Sequence, residues 1–266
     1  MDSKSNYRIA CGTISAFVAT SIVHPFDILK ISKQLNIKPQ YNFTNLYRGY
    51  SIGLFRQLTY SVPNVYIFTE LINKHKYHYD TEPNYYNKLL YGSISGAISG
   101  FTGNPSEVMM VRSVNPNDPQ RSIFTHFQNV YKTYGITGFL QGYKAAIARS
   151  SVYNGIRLSL YSESKSHIQN INPSLTGTTT LHIMAGAIST ISAIIISNPI
   201  DVIKSRAQKE QSKTLTQQIQ KSIKSDGFSL IHKGLIPSIC KSFPHSIISF
   251  VILEKSMRYF TGNDAI

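Results

Sequence analysis

Three short stretches place an acid two residues after a proline, followed by a base three residues on in the first and third and five residues on in the second. HPFDILKISKQ (24–34) carries Pro25, Asp27, Lys30 and Gln34. NPSEVMMVRSV (104–114) carries Pro105, Glu107 and Arg112, and NPIDVIKSRAQ (198–208) carries Pro199, Asp201, Lys204, Arg206 and Gln208. Residues at i and i+3 share one face of a helix. Each stretch closes or follows a run without Asp, Glu, Lys or Arg, namely 9–26, 89–106 and 166–200. A helix of 18 residues rises about 27 Å, close to the ~30 Å hydrocarbon thickness of a bilayer. Charges at that depth are costly unless they face a wet cavity or one another. The spacing therefore points to charge pairing between helices at the end of an apolar span.

A second set of bases lies elsewhere. Seven residues after Gly49, Gly142 and Gly234 stand Arg56, Arg149 and Lys241, and four further on come Tyr60, Tyr153 and His245. Three cations converging in a low-dielectric site repel one another unless an anion sits between them. Bases snorkelling to an interface would be the plain alternative, but all three sit well inside their segments. Phosphate takes bidentate arginine contacts, and Tyr60, Tyr153 and Tyr143 suit stacking on a nucleobase. Arg157, two turns past Arg149, adds a charge to the same face.

The elements that hold these residues form a repeat. Each proline follows a glycine by 13 residues (Gly12, Gly92, Gly186), and a small residue follows that glycine by four (Ala16, Gly96, Thr190). Such small-xxx-small ridges let membrane helices pack closely. Gly49, Gly142 and Gly234 are 93 and 92 residues apart. That period is too long for a solenoid, and each unit reads as two long helices joined by a short amphipathic one. In the third unit the short helix shows as Leu215, Ile219 and Ile223; in the second, Ser122 is the expected N-cap ahead of Phe124, Phe127 and Tyr131. The first unit is about 12 residues shorter there. A single transmembrane domain over 1–266 is expected, with repeats at roughly 7–78, 85–169 and 178–262.

These residues resemble the mitochondrial carrier family signature, Pro-x-acid-x-x-base-x-base, then acid-Gly, then aromatic-base-Gly, three times per chain. The resemblance covers 7–260. It implies an all-α membrane protein, six spans in three pseudo-symmetric repeats around a central cavity, with short amphipathic helices on the matrix side. It implies a matrix gate built from Asp27, Lys30, Glu107, Arg112, Asp201 and Lys204, with Glu107 paired to Lys204 and Asp201 to Lys30. Gln34 and Gln208 match the family's brace beneath that ring. Pro25, Pro105 and Pro199 are kinks, and Gly12, Gly92 and Gly186 are packing positions. Repeat two departs from the pattern, with Met110 where a base belongs, so Asp27 is left to Arg112. Repeat one has Ser32 at the second base. Tyr134 replaces the acid of acid-Gly in repeat two, and repeat one lacks that acid.

Family practice puts the substrate at Arg56, Arg149 and Lys241, with Tyr60, Tyr153, His245, Ser150 and Arg157 around it. A nucleotide, a nucleoside di- or triphosphate, is the leading expectation. The chain has KSRAQ where ADP/ATP exchangers carry Arg-Arg-Arg-Met-Met-Met, so it is not a conventional exchanger of that kind. Arg149-Ser150 also resembles carriers of carboxylates, and di- or tricarboxylates are the second reading. The resemblance further implies the mitochondrial inner membrane, in a host cell if the source is a parasite or virus, a monomer, and cardiolipin near Arg48-Gly49 and Lys233-Gly234. A cytoplasmic gate would use Glu70, Glu163 and Glu254, but their bases Lys74, Lys165 and Arg258 fall out of frame.

Net charge is +14 with only 15% charged residues, which calls for an anionic partner. A basic nucleic-acid-binding protein is the more distant alternative, disfavoured because the bases sit at the ends and centres of apolar helices instead of on an exposed stripe. No enzyme motif is present: there is no Gly-rich phosphate loop, no HExxH and no nucleophile elbow. Cys11 and Cys240, and His24, His182 and His245, share no metal spacing, so neither metal nor cofactor is expected. His24 reads as a polar helix end. The N-terminal residues lack the layout of a cleaved signal peptide.

Overall fold

The computed structural model describes residues 3–38, 41–114, 122–209, 215–227 and 229–261; within these, the side chains at 3–10, 12–13, 209, 215, 218, 226, 230–231, 250, 253–254, 257–258 and 260–261 lie outside the description. Among the described residues there is helix and no strand. The first span is α1 (Ser3–Gln34), followed by a one-turn α2 (Phe43–Leu46). The second span joins α3 (Tyr50–Arg56) to α4 (Val62–Tyr79) through a π-helical turn, Gln57–Ser61. The third is α5 (Tyr85–Thr102) continued by α6 (Asn104–Ser113). After α7 (Ile123–Tyr134) and a 3-10 turn, α8 (Tyr143–Ile171) forms the fourth. The fifth is α9 (Thr179–Lys209), then come α10 (Leu215–Asp226) and α11 (Ser229–His232), and α12 (Leu235–Thr261) is the sixth. The architecture is six spans with interspersed short helices.

Each proline acts through its missing N–H, which frees a carbonyl one turn earlier. Pro25 and Pro199 lie inside continuous helices. The Ser21 carbonyl, freed by Pro25, accepts from the Tyr47 hydroxyl at 3.3 Å. Pro105 instead opens a new helix after the break at Gly103. Pro63 explains the π turn: the Thr59 carbonyl it cannot reach accepts from Thr102 Oγ1 at 2.8 Å.

One set of contacts closes each repeat on itself, and a second joins it to the next. In each repeat the residue before the proline donates to the carbonyl just before a turn glycine. His24 Nε2 donates to Arg48 (3.0 Å), Asn104 Nδ2 to Gln141 (3.2 Å) and Asn198 Nδ2 to Lys233 (3.2 Å). His24 is thus a fully buried fastener, more than a polar helix end. Gly49, Gly142 and Gly234 all have left-handed φ near +70°. Each also backs onto the end of the next odd-numbered span: a Cβ on Gly49 would lie 2.4 Å from Ser113 Oγ, and one on Gly142 or Gly234 would lie 2.9 Å from Gln208 or Gln34 Cγ.

Spans three and four touch backbone to backbone at the expected ridge, where a Cβ on Gly92 would lie 2.8 Å from the Asn154 carbonyl oxygen. Gly186 departs from that expectation, with nothing among the described residues within 4 Å of its Cβ position. Gly12 lies on α1, but its surroundings are outside the described residues. Ser122 occupies the N-cap of α7, but its side chain makes no cap hydrogen bond. His126 and Val130 face inward on that helix, leaving Phe124 and Tyr131 exposed, as suits a helix lying at a membrane interface.

Candidate functional site

The proline-proximal halves of spans one, three and five bring their acids and bases into one ring. Lys30 Nζ lies 2.5 Å from Asp201 Oδ2, and Lys204 Nζ lies 2.5 Å from Glu107 Oε2. Gln34 Nε2 donates to Asp201 at 3.3 Å and accepts at Oε1 from Ser205 at 2.8 Å. Gln208 donates to Asn104 Oδ1 at 3.0 Å, so it ties into the seam beside the ring and not to the Lys204–Glu107 pair. Repeat two has Met110 and Val114 where the others have lysine and glutamine. Both are buried in an apolar cluster with Ile31, Leu35 and Ile52.

Asp27, facing that gap, is held from the even-numbered spans. Lys241 Nζ pairs directly with its Oδ1, and Arg56 Nη2 stands 3.9 Å from Oδ2. The expected partner, Arg112, does not reach in. It lies two residues past Met110, about 200° around the helix, so it points away from the axis. Its Nη2 donates to Gln141 Oε1 at 2.5 Å and its Cζ sits 4.4 Å from the Tyr134 ring centroid. Arg206, at the same place in repeat three, likewise donates to Ser225 on α10, at 3.4 Å. Where a second base is present, in repeats two and three, it therefore fastens to the segments around the short helices.

The three even-span bases converge on the axis already compensated. Arg149 Nε lies 3.3 Å from Asp201 Oδ1, an ion-pair distance without hydrogen-bond alignment. Arg56 Nη1 lies 3.4 Å from Glu107 Oε1, and Lys241 holds Asp27. Each carboxylate of the ring thus engages one of these bases. This corrects the argument that only an external anion could separate the three cations: the carboxylates of the ring do so.

Above the ring is a cavity of about 270 Å³. Six bases line it (Lys30, Arg56, Arg149, Arg157, Lys204, Lys241) against three carboxylates (Asp27, Glu107, Asp201), a formal excess of three positive charges with His245 neutral. Tyr60, Tyr153 and His245 also line it. The Tyr60 hydroxyl accepts from Asn154 Nδ2 at 2.8 Å, and His245 Nε2 meets Thr20 Oγ1 at 3.4 Å. The Tyr153 ring lies 4.7 Å from the Arg149 Cζ and 5.9 Å from that of Arg157. Ser150 is not at the cavity: it is buried, and its Cβ and backbone press on Gly96 and Gly100 at the crossing of α5 and α8. Tyr143 is edge-on to Phe101 on the same side, outside the cavity wall.

Several lining residues carried no motif. Asn154, Gln57, Asn64 and Ser246 are polar groups within apolar spans, and a buried amide at such depth needs a partner. Gln57 donates to Thr20 at 2.6 Å and accepts from Ser61 at 2.6 Å, and Asn64 donates to Ser99 at 3.2 Å. At the far end of the spans, Glu70 and Glu163 form no ion pair among the described residues, and the side chains of Glu254 and Arg258 fall outside them.

The mitochondrial carrier protein family model matches residues 81–172 and 176–264, which are the second and third repeats. The chain belongs to the mitochondrial carrier family. Among curated proteins, this carrier is 26% identical to the mitochondrial 2-oxoglutarate/malate carrier protein of Mus musculus, covering 95% of this chain and 90% of that one. The corresponding Caenorhabditis elegans protein is also 26% identical, over 93% and 90%. Mitochondrial uncoupling protein 4 of Arabidopsis thaliana is 27% identical over 91% and 80%. The carrier is accordingly a multi-pass transporter of small anions in the mitochondrial inner membrane, and not an enzyme.

Proposed function

We propose that this carrier moves dicarboxylates of the 2-oxoglutarate/malate kind by alternating access. The observation that carries the reading is the pairing of every ring carboxylate with a cavity base. A dianion entering the cavity competes with Asp27, Glu107 and Asp201 for Lys241, Arg56 and Arg149. Bidentate arginine contacts favour a carboxylate over a lone charge. As those bases turn to the cargo, the carboxylates keep only their ring lysines, and Asp27 has none. The ring thereby loosens when cargo is bound, which is the differential interaction a population shift requires.

Support for dicarboxylates over the nucleotide expected from the sequence comes from three directions. The relatives above are named for 2-oxoglutarate and malate. At about 270 Å³ the cavity is smaller than the roughly 300–1,000 Å³ typical of drug-sized ligands, whereas a nucleoside triphosphate adds a base and a sugar to its phosphates. Tyr60 and Tyr153 are engaged with Asn154 and the two arginines instead of lying open for stacking. The reading also takes Asp27, Lys30, Glu107, Asp201 and Lys204 as the gate, Gln34 as its brace, and Arg56, Arg149, Arg157 and Lys241 as the cargo bases.

A monomeric unit without nucleic-acid partners goes with this proposal. So does cardiolipin near Arg48-Gly49 and Lys233-Gly234, where a base stands beside a turn glycine that opens a span. The test is uptake by liposomes containing the purified carrier. Labelled dicarboxylates are expected to enter and ATP or ADP to be excluded; nucleotide uptake with no dicarboxylate uptake would reverse the assignment.

A further inference from the structure

We propose that a side chamber off the cavity receives an apolar substituent on the carried carboxylate, so that the carrier favours alkyl- or aryl-bearing dicarboxylates over plain ones; this rests on the dicarboxylate reading above. The chamber opens between α8, α9 and α12 and holds about 130 Å³. Ile183, Ile191, Ile194, Ile239, Phe243 and Ile247 supply its apolar wall. Arg157 and Ser246 line both this chamber and the central cavity, and so form the doorway between them.

Gly186 is on the chamber wall. In repeat two the glycine at the same distance before its proline seats a neighbouring helix, with the Asn154 carbonyl oxygen 2.8 Å from its Cβ position. Among the described residues Gly186 has nothing within 4 Å there. The ridge that packs spans three and four together leaves a hollow beside span five. At the chamber's polar edge the Tyr161 hydroxyl and His182 Nδ1 satisfy each other at 2.5 Å and need no ligand group.

The doorway supplies the charge. Lys30, Arg56, Arg149, Lys204 and Lys241 each lie within 4.0 Å of a carboxylate. Among the described residues Arg157 has no such pair, and its buried Nε has no hydrogen-bond partner. A cation without a carboxylate next to an aliphatic hollow fits a carboxylate with an apolar branch beside it. An aliphatic cavity of about 150 Å³ accommodates benzene, so this chamber suits a group of about six carbons.

Two readouts test the chamber. In proteoliposomes taking up labelled 2-oxoglutarate, 2-hexylbutanedioate is expected to inhibit at a concentration about tenfold lower than butanedioate, a fraction of the transfer free energy of six methylenes. In detergent, 2-hexylbutanedioate is expected to raise the Tm more than butanedioate does. Gly186→Leu fills the hollow from α9 and Ile247→Trp narrows it from α12, and either is expected to bring both ratios to about one. Equal action of the two compounds on the unmodified carrier overturns the proposal. So does a hexyl advantage that survives both variants, which would mean partition into lipid or detergent. Absence of any dicarboxylate uptake refutes the transport reading instead, and the thermal shift still decides the chamber.

Discussion

Lys241 is assigned two tasks, as a cargo base and as the stand-in for the base that Met110 does not provide, and the two can be separated. Lys241→Gln leaves Asp27, buried at 4% exposure, with Arg56 at 3.9 Å as its remaining partner. Removing one partner of a buried pair costs about 3–5 kcal/mol. For a chain of this size that lowers the Tm by on the order of 10 °C. Met110→Lys restores to repeat two the base that Lys30 and Lys204 provide in the others, each 2.5 Å from its carboxylate. In the Lys241→Gln background it is expected to return at least half of the lost Tm, while uptake stays absent because the cargo base is still missing. A thiol-reactive dye reads the unfolding: Cys11 is 1% exposed, and Cys240→Ser removes the exposed thiol. If Met110→Lys leaves the Tm of the Lys241→Gln protein unchanged, Lys241 is not standing in for the ring base. If uptake returns, Lys241 is not a cargo base.

Other outcomes follow from the same geometry. His24→Asn keeps a donor where repeats two and three have asparagine and is expected to fold, whereas His24→Leu strands the Arg48 carbonyl and costs about 1–3 kcal/mol, read as a lower Tm. Gly92→Ala drives a Cβ into the Asn154 carbonyl and is expected to lose folded protein on size exclusion, while Gly186→Ala, in open space, elutes as the unmodified carrier does. Asn154→Leu releases the Tyr60 hydroxyl and the carbonyl-side contacts of α8; uptake is expected to fall several-fold with the fold retained.

Much of this molecule was legible because its costs are local. Apolar runs ending in Pro-x-acid recur three times, twice with a base three residues on. Charge at membrane depth must be paired, so pairing between these helices could be anticipated from spacing. The resemblance to the carrier signature implied Lys30–Asp201 and Lys204–Glu107 as the partners. Side-chain direction was harder. Arg112 is two residues from the gap but on the other side of its helix, and Ser150, next to Arg149, turns into the α5–α8 crossing. The π turn at Gln57–Ser61 shifts the phase between Arg56 and Tyr60, which a count of four residues treats as one regular turn. That Lys241 fills the place left by Met110 depends on packing between repeats far apart in sequence. The same holds for the hollow at Gly186, since a glycine reads alike whether a helix seats on it or not.

The central claim is that a dicarboxylate crosses by taking the cavity bases from the ring carboxylates. The direct measurement is exchange of external labelled 2-oxoglutarate in liposomes loaded with malate or left empty, for the unmodified carrier and for Arg149→Ala. The account predicts uptake that depends on internal malate in the unmodified carrier and falls to the protein-free level in Arg149→Ala, with the variant's elution profile unchanged. Uptake in Arg149→Ala at the unmodified rate would contradict it.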